Sequence, residues 1–445
     1  MANLADKIKK ALEEGRSGSY VKKSPYERFG LKYNPFRQNI QDIEPMTTDL
    51  HIVREDVLVD FAVKLGNAIR LFEQDRSSRF RHFLVHGLRG GGKSCLARQF
   101  HRDWANFGFN EFKTIYSCLS DWSDPTELTG PYDASKSTLA TYEEFLDQIR
   151  RMDKALIVFL DDIDFMITGN PAIPRLNQFV QEIEAAAPHG VILIGFLGSL
   201  TLAGLLELDQ QSAARDFYGC FSPDHFFYPV FSTNEIRRMI QRRLQVVRRP
   251  NDLFSSRAID HIASHSLGLP AVALRLATAC LDELIIQDQE KVTAALSNFV
   301  IKQLGYEAAV KLVEVLNTPA DEEVTSVLSL KRREIVASIL DHQTRERFFF
   351  PPTEVGGLRS SDLADQFAVN LSTMNYHLKP LISSSPIPIL RAKDDAHDGR
   401  SKIYYVDWQS PVTAAAEIIT VFHRLTQERF HIAPEALLIT RREVL

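Results

Sequence analysis

The sequence has little of what would indicate a membrane, secreted or metal-binding protein. Its longest apolar run, Val191 to Leu200, is too short to cross a bilayer, and the segment from Met1 to Glu14 lacks the apolar stretch of a signal peptide. The four cysteines are scattered, without a C-x-x-C pair or a histidine cluster, which argues against a disulfide framework and against a zinc site. We therefore expect a cytoplasmic protein without a membrane segment.

The sequence also lacks a large net charge of either sign. The formal net charge is -5 over 445 residues, which does not indicate a general nucleic-acid binder. Basic residues concentrate in the first 23 positions and again in 237–249, so any DNA contact should be local. A metabolic enzyme is disfavoured, because no Ser-His-Asp or Cys-His set occurs at a recognisable spacing. Length and an ordinary composition, 44% hydrophobic and 24% charged, indicate two to four globular domains.

A glycine-rich segment carries the strongest functional signal. It reads Gly87-Leu88-Arg89-Gly90-Gly91-Gly92-Lys93-Ser94, which fits the phosphate-binding pattern G-x-x-x-x-G-K-[ST]. The flanks 82–86 and 95–104 predict a strand before the loop and a helix after it, the order that aims backbone N–H groups and the helix dipole at phosphate. Lys93 is expected to reach the β- and γ-phosphates, and Ser94 to take a Mg²⁺ position. These eight residues and Cys95 are the predicted contacts to ATP or GTP.

A second acidic motif completes a nucleotide site. The apolar stretch 155–160 predicts a buried strand, and it runs directly into Asp161-Asp162-Ile163-Asp164, a Walker B pattern. Ligands of open α/β sheets bind at the carboxyl ends of the strands, where these carboxylates lie. We expect Asp161 to hold Mg²⁺ and Asp162 to act as the base that orients the attacking water.

The chain divides into several predicted units. Strand-like and helix-like segments alternate up to about residue 231, which predicts a parallel sheet with helices on both faces. A cap at Ser232–Glu235 then introduces a helical stretch. The predicted boundaries are 1–36 for a basic tail and linker, 37–231 for the nucleotide-binding domain, 232–316 for a helical lid, 317–329 for a linker, 330–410 for a winged helix, and 411–445 for a C-terminal helix and tail.

The arginine-rich helix 236–249 has two interpretations. Its arginines form a basic stripe that faces DNA, or they form the solvated face of a lid helix. In the second case the apolar residues Ile236, Met239, Ile240 and Leu244 turn inward.

The pattern of residues 330–410 predicts three helices and a β-hairpin, which are the elements of a winged helix. Helices are expected at 332–342, 360–367 and 371–381, followed by extended segments at 387–391 and 402–406. In the third helix, helical spacing turns Leu371, Met374, Leu378 and Leu381 towards the core. The expected double-stranded DNA contacts are Ser372, Thr373, Asn375, Tyr376 and Lys379 in the groove, and Arg391, Lys393, Arg400 and Lys402 on phosphates.

Two features of this unit leave a protein partner open instead. Asp394, Asp395 and Asp398 in the hairpin would be repelled by phosphates, and Pro380 would shorten the third helix. DNA contact and protein contact are thus both retained.

The ordered set of P-loop, acidic motif, lid and winged helix resembles an AAA+ ATPase of the origin-recognition initiator type. The stretch Phe29-Gly30-Leu31-Lys32-Tyr33-Asn34-Pro35-Phe36 is also similar to a segment of related bacterial ATPases that serve transposition and secretion. The resemblance implies an α/β fold with an AAA+ parallel sheet, a helical lid and a C-terminal winged helix. It also implies Mg²⁺, ATP and a homo-oligomer.

The resemblance further implies residues that sense the nucleotide. Ser199 matches a polar sensor at the end of the strand after the acidic motif, although that residue is usually Asn or Thr. Arg215, with Arg175 second, matches an arginine that reaches the γ-phosphate of a neighbouring subunit. The lid arginine of the family is replaced by Ala271, so either Arg275 reaches back one helical turn or the lid responds weakly, as in STAND ATPases.

Asp162 replaces the usual Glu of the family and is one methylene shorter, so we expect slow hydrolysis suited to a switch. Two functions are compatible with these residues. One is an ATP-assembled DNA platform that recruits a partner protein in replication, transposition or mobile-element defence. The other is a STAND-like switch whose winged helix contacts protein and whose nucleotide state gates an effector.

Overall fold

The structure is a computed structural model. It describes residues 26–29, 31, 34–36, 54–76, 78–118, 142–164, 172–199, 202, 220–222, 224–246, 253–307, 309–310, 330–346, 357–383, 389–395, 401–406, 415 and 418. The predicted linker 317–329 lies outside these residues, as does most of the predicted tails, and the domain boundaries stay predictions.

A five-stranded parallel sheet forms the first part of the chain. Its strands are β1 (Phe83–Gly87), β2 (Phe112–Cys118), β3 (Ala155–Asp161), β4 (Val191–Gly198) and β5 (Phe226–Phe227), in the order β2-β3-β4-β1-β5. Every residue of β3 is buried, because the strand lies inside a sheet that is covered on both faces. The strands predicted at 82–86 and 155–160 are confirmed to within one residue at either end. The two-residue edge strand β5 was not predicted, because it is too short to show a periodicity.

Helices cover both faces of this sheet, as the fold prediction requires. They are α1 (Glu55–Gln74), α2 (Lys93–Asp103), α3 (Tyr142–Arg150) and α4 (Ala172–Ala186). Successive side chains of a strand point to opposite faces. Phe159 of β3 accordingly joins the core that contains Phe61 of α1, whereas Val158 joins the core that contains Phe145 of α3. The α/β fold class is therefore confirmed.

The helices that follow the sheet include α5 (Thr233–Val246), α6 (Ser256–His265), α7 (Pro270–Ile286) and α8 (Ala294–Gln303). The predicted cap is present, since Ser232 N–H donates to Glu235 at 2.6 Å and Glu235 N–H donates to the Ser232 hydroxyl at 3.2 Å. Pro270 opens α7 at a position where its missing N–H leaves no bond unmade.

The C-terminal part contains three helices and a second, antiparallel sheet. In chain order these are α9 (Leu330–Glu346), β6 (Leu358–Arg359), α10 (Ser360–Gln366), α11 (Leu371–Ser383), β7 (Arg391–Asp394) and β8 (Lys402–Tyr405), with the sheet order β6-β8-β7. Gln343 joins α9 to the end of β8, because its side-chain amide exchanges two hydrogen bonds with the backbone of Val406, at 2.9 and 2.7 Å. The helices predicted at 332–342, 360–367 and 371–381 are thus present, and β8 matches the extended segment predicted at 402–406. The strand β7 begins only at Arg391, the last residue of the segment predicted at 387–391, so that prediction was placed too early in the sequence.

Two details of α11 differ from the prediction. Met374, Leu378 and Leu381 are buried as expected, but Leu371 is 49% exposed. Pro380 does not shorten the helix, which continues to Ser383. None of the helices in the described ranges is long and apolar enough to span a membrane.

Candidate nucleotide site

The glycine-rich loop has the strand–loop–helix context that its pattern predicts. It leaves β1 and enters α2, and Gly90 and Gly92 have φ of +76° and +106°, values that side chains with a Cβ disfavour. The Lys93 ammonium group donates to the Gly87 and Leu88 carbonyls at 2.9 and 3.1 Å, and so stays at the loop. The loop therefore places backbone groups and the Lys93 cation together at the carboxyl end of β1.

The start of α7 packs directly against this loop. Ala271 N–H donates to the Gly90 carbonyl at 3.2 Å, and a Cβ on Gly90 would lie 2.8 Å from the Ala271 Cβ. Arg275, one turn further along α7, is exposed and lies beside Tyr306. Its contact with a nucleotide stays a prediction.

The acidic motif meets the loop at the carboxyl edge of the sheet. Asp161, at the end of β3, is buried and accepts a hydrogen bond from the Tyr116 hydroxyl at 2.7 Å, and the Ser94 hydroxyl lies beside it. Burial, with the charge of Asp162, raises the pKa of Asp161 to about 6. The two predicted Mg²⁺ ligands, Ser94 and Asp161, are thus brought together.

Tyr116 and Arg98 belong to this arrangement although no sequence motif marks them. Arg98 of α2 donates to the Tyr116 hydroxyl at 3.0 Å, and its guanidinium lies 5.1 Å from the ring centroid. Burial and the neighbouring Asp161 raise the pKa of Tyr116 well above its usual value, so the phenol keeps its proton and donates it. The only signal in the sequence is a tyrosine in a strand-like stretch, two residues before the end of β2.

Asp162 lies just beyond β3 in a left-handed conformation, with φ of +54°. The Cys118 thiol lies 3.8 Å from one of its carboxylate oxygens. The following residues are fixed to β4, since Ile163 N–H donates to the Phe196 carbonyl at 3.0 Å and Gly198 N–H donates to Asp164 at 2.9 Å. The backbone on both sides of Asp162 is therefore held in place.

Ser199 is fully buried directly after β4. Its hydroxyl oxygen is 3.0 Å from Nδ1 of His86, the residue that precedes the phosphate loop. Burial, with the charges of His225 and Lys93, lowers the pKa of His86 to about 3, so this imidazole is neutral at physiological pH. Sequence reasoning singled out Ser199 but missed His86.

The two predicted intersubunit arginines remain predictions. Arg215 lies outside the described residues. Arg175 lies in α4, but its side chain is outside the described part of the chain.

The arginine-rich helix follows its second interpretation in large part. The four apolar side chains Ile236, Met239, Ile240 and Leu244 are buried. Arg237 pairs with Asp260 at 2.7 Å, whereas Arg242 is exposed. Arg243 departs from both interpretations: it is buried and donates to the Pro35 carbonyl at 2.9 Å. It therefore joins α5 to the segment that precedes the sheet.

The predicted DNA face is mostly exposed. The exposed predicted contacts are Ser372, Asn375, Tyr376, Lys379, Arg391, Lys393 and Lys402, whereas Thr373 is half-buried and Arg400 lies outside the described residues. The Arg332 guanidinium of α9 lies 5.8 Å from the Tyr376 ring centroid and adds positive charge that the sequence did not indicate.

The aspartates of the hairpin differ from the expectation. Asp394 is exposed and lies opposite Lys402 in the sheet. Asp395 is buried and forms an ion pair with Arg359, with 2.6 Å between Oδ2 of Asp395 and Nε of Arg359. Asp395 therefore does not face solvent, and it does not repel phosphates as the sequence suggested. Asp398 lies outside the described residues.

Comparison with known proteins gives distant relatives. No family model matches the chain. It is 23% identical over 283 residues to the Holliday junction branch migration complex subunit RuvB of Wolbachia sp. subsp. Drosophila simulans (strain wRi), which covers 62% of this chain and 76% of that protein. The RuvB subunit of Wolbachia sp. subsp. Brugia malayi (strain TRS) is 22% identical over 275 residues, covering 59% of this chain and 72% of the relative.

Similar solved structures include the Aeropyrum pernix ORC1 protein in complex with DNA, with a TM-score of 0.44, 17% identity, and coverage of 82% of this chain and 92% of that one. The Thermotoga maritima RuvB Holliday junction branch migration motor has a TM-score of 0.37 and 16% identity, with coverage of 80% and 92%. The sequence relatives and the P-loop at the edge of a parallel sheet agree with the predicted resemblance of this chain to AAA+ ATPases.

Proposed function

We propose that the protein is a nucleotide switch that binds ATP with Mg²⁺ and hydrolyses it slowly. The observation that carries this proposal is the proximity of Ser94 and Asp161, which come from two motifs 67 positions apart (161 − 94) yet lie beside each other at the phosphate loop. Both present oxygen atoms, the ligands that Mg²⁺ prefers. Gly90 and Gly92 supply a backbone cradle for phosphate, and Lys93 supplies its cation.

Each residue of the site would have its own role in ATP binding and hydrolysis. Bound Mg²⁺ would neutralise phosphate charge, and Ser94 and Asp161 would hold it. Lys93 would turn from the Gly87 and Leu88 carbonyls to the phosphates. Asp162 would orient the attacking water, and Ser199 would donate to a phosphate oxygen or to that water.

Slow turnover follows from how Asp162 is placed. Its side chain is one methylene shorter than glutamate, and its carboxylate lies beside the Cys118 thiol. Small errors in the position of a reacting group lower the rate steeply. ATP binding, rather than repeated hydrolysis, would therefore set the state of the protein.

We further propose that ATP assembles a homo-oligomer, through Arg215 or Arg175, and that residues 330–410 form a winged helix on double-stranded DNA. The exposed stripe of Ser372, Asn375, Tyr376 and Lys379 supports this role, because α11 places these residues one helical turn apart. The names of the RuvB relatives also support a DNA-related role. A cytoplasmic platform that recruits a partner protein in replication, transposition or mobile-element defence is the proposed result.

One observation favours the STAND-like alternative. Leu371 and Tyr376 on α11 are 49% and 69% exposed, and large apolar side chains on one helix also suit a protein partner. In that case the winged helix would contact protein, and the nucleotide state would gate an effector.

The test combines ATP hydrolysis, light scattering for assembly, and fluorescence-anisotropy binding of duplex DNA over a salt titration. Lys93→Ala should abolish nucleotide binding and any ATP-dependent assembly. Lys379→Glu should weaken DNA binding and lower its salt slope by about 1, whereas Lys302→Glu, an exposed lysine of α8, should leave both unchanged. Nucleotide binding without DNA affinity would support the protein-contacting switch, and absence of nucleotide binding would refute both.

A further inference from the structure

The hydrogen bond between His86 and Ser199 lies where the phosphate loop begins. β1 and β4 are adjacent and parallel, with Gly87 opposite Gly198. His86 therefore directly precedes the first loop residue, Gly87, and lies near Ser199, the first residue beyond β4. Both side chains are buried, and the joining distance of 3.0 Å is that of a good hydrogen bond. A ligand in the loop would therefore have Ser199 beside it and His86 behind Ser199.

The imidazole of His86 is held by its surroundings. Its ring lies 5.3 Å from the Phe227 ring and 6.3 Å from the His225 ring, both on the β5 side of the sheet. Its own backbone carbonyl accepts from Tyr228 N–H at 2.7 Å. The ring is thus packed between β4 and β5, and its orientation is set by the edge of the sheet rather than by solvent.

The direction of the hydrogen bond decides what Ser199 can do. A neutral imidazole carries one proton, on either Nδ1 or Nε2. If Nδ1 accepts, the Ser199 proton points at His86, and only oxygen lone pairs remain for a neighbouring phosphate, which is also an acceptor. If Nδ1–H donates, the Ser199 hydroxyl keeps its proton for the phosphate or for water.

We propose that His86 is a positioning residue whose Nδ1–H donates to Ser199 and thereby directs the Ser199 hydroxyl proton towards the terminal phosphate or the attacking water. This inference rests on the proposed ATPase function and adds a group to it. It also connects β5 to the nucleotide site, because Phe227 of β5 packs against His86. The chain then continues from β5 into α5. A change at the phosphate would then reach the helical part of the chain through the sheet edge.

The experiment uses substitutions that separate the two nitrogen positions. Asparagine can place an amide N–H near the position of Nδ1, whereas glutamine places it near Nε2. Turnover and KM for ATP would be measured for His86→Asn, His86→Gln, His86→Leu, Ser199→Ala and the Leu/Ala double variant. The dissociation constant of a fluorescent ATP analogue with Mg²⁺, and the melting temperature, would be recorded for each.

Loss of the directed hydrogen bond should lower kcat about 10- to 100-fold, the range expected for one hydrogen bond to a charged group. His86→Leu, His86→Gln and Ser199→Ala should each show this loss, with analogue affinity changed by less than about threefold. The double variant should be no slower than either single one, because both remove the same interaction. His86→Asn should recover most of the rate.

Several results would overturn the proposal. The first is a kcat equal to that of the wild type in His86→Leu or His86→Gln. The second is a double variant whose fall in kcat equals the product of the two single-variant falls. The third is an equal kcat for His86→Asn and His86→Gln. Nitrogen-15 NMR of labelled histidines adds a direct reading, since a proton on Nε2 of His86 would also overturn it. Because this reading needs no activity, the proposal stays testable if His86→Leu does not fold.

His82→Gln supplies a matched control at the other end of β1. His82 is buried too, but it contacts Glu184 and Leu193 N–H, each at 2.9 Å, and lies away from the loop. This variant should lower the melting temperature without lowering kcat per folded molecule. If the wild-type protein itself hydrolyses no ATP, the proposed function fails, whereas normal turnover with insensitive His86 variants refutes the positioning role alone.

Discussion

The carboxyl edge of the parallel sheet and the β7–β8 hairpin each bury one aspartate, and the two are held by different partners. Asp161 accepts from the Tyr116 hydroxyl and lies beside the Ser94 hydroxyl, whereas Asp395 forms an ion pair with Arg359. Arg98 binds Tyr116 and lowers the pKa of Asp161 from a distance, so the charge of Asp161 is only partly compensated and can accept an external cation. The charge of Asp395 is already compensated within the protein, and we infer that its role is structural.

Asp161→Asn should produce the largest effect on activity. The amide is nearly the same shape but carries no charge, so Mg²⁺-dependent ATP hydrolysis should fall about 100-fold or more. The melting temperature of the protein without nucleotide should not fall, because the buried charge is removed along with its desolvation penalty. Steady-state turnover measures the expected fall in ATP hydrolysis, and thermal unfolding measures the melting temperature. Full turnover in this variant would remove Asp161 from the cation site.

Asp162→Asn should preserve nucleotide binding and lose turnover. Its side chain would no longer accept a proton from water, and a general base commonly contributes about 100-fold or more to the rate. ATP should therefore remain trapped, as measured by filter retention of radiolabelled ATP, with Lys93→Ala as the control that retains none. Normal hydrolysis in Asp162→Asn would show that another group orients the water.

Arg359→Met tests the other aspartate of the comparison. It leaves the Asp395 carboxylate buried without its cation, which should lower the free energy of unfolding by about 1–3 kcal/mol. The loss is smaller than for a fully buried pair, because the Arg359 side chain is 41% exposed. ATP turnover per folded molecule should not change. Urea unfolding provides the measurement.

Lys331→Met is the matched control for that variant. Lys331 also pairs with a carboxylate, that of Glu334 at 3.3 Å, but both side chains are more than one-third exposed. An exposed pair of this kind contributes at most about 1 kcal/mol. Equal losses in the two variants would contradict the structural role assigned to Asp395.

The pH dependence of stability should give the smallest effect. The pKa of Asp161 is raised by burial to about 6, above the 3.8 of an unperturbed aspartate, so between these pH values the folded protein without ligand holds more protons than the unfolded chain. The stabilising contribution of this group is fully present below about pH 4 and is lost as the pH rises through about 6.

Urea midpoints of the wild type and of Asp161→Asn from pH 4 to 7 would measure this contribution, with Asp147→Asn on α3 as a control for loss of a charge. Relative to Asp161→Asn, the wild type should become less stable as the pH rises. A constant difference between the two proteins would show that Asp161 titrates alike in the folded and unfolded states.

Residues that are close in sequence account for the predictions that succeeded. The phosphate loop is one continuous segment, and Asp161 directly follows a run of apolar strand residues, so local pattern and strand burial were sufficient to locate both. The capping pair Ser232 and Glu235 is local in the same way.

Periodicity was less informative about burial. It assigned Leu371 to the core, but burial at a helix end depends on whether another element lies against that turn. It likewise gave no indication that Arg243 would be buried against the Pro35 carbonyl, 208 residues away in sequence.

The sequence by itself determined the phosphate loop, the acidic motif and the alternation of strands and helices, because each depends on neighbours within a few residues. Only the tertiary structure decided which distant side chains complete the site. Tyr116 reaches Asp161 across 45 residues, and His86 reaches Ser199 across 113. These pairs form because parallel strands bring their carboxyl ends to one edge of the sheet, and the strand order, which no single segment encodes, decides which ends are neighbours.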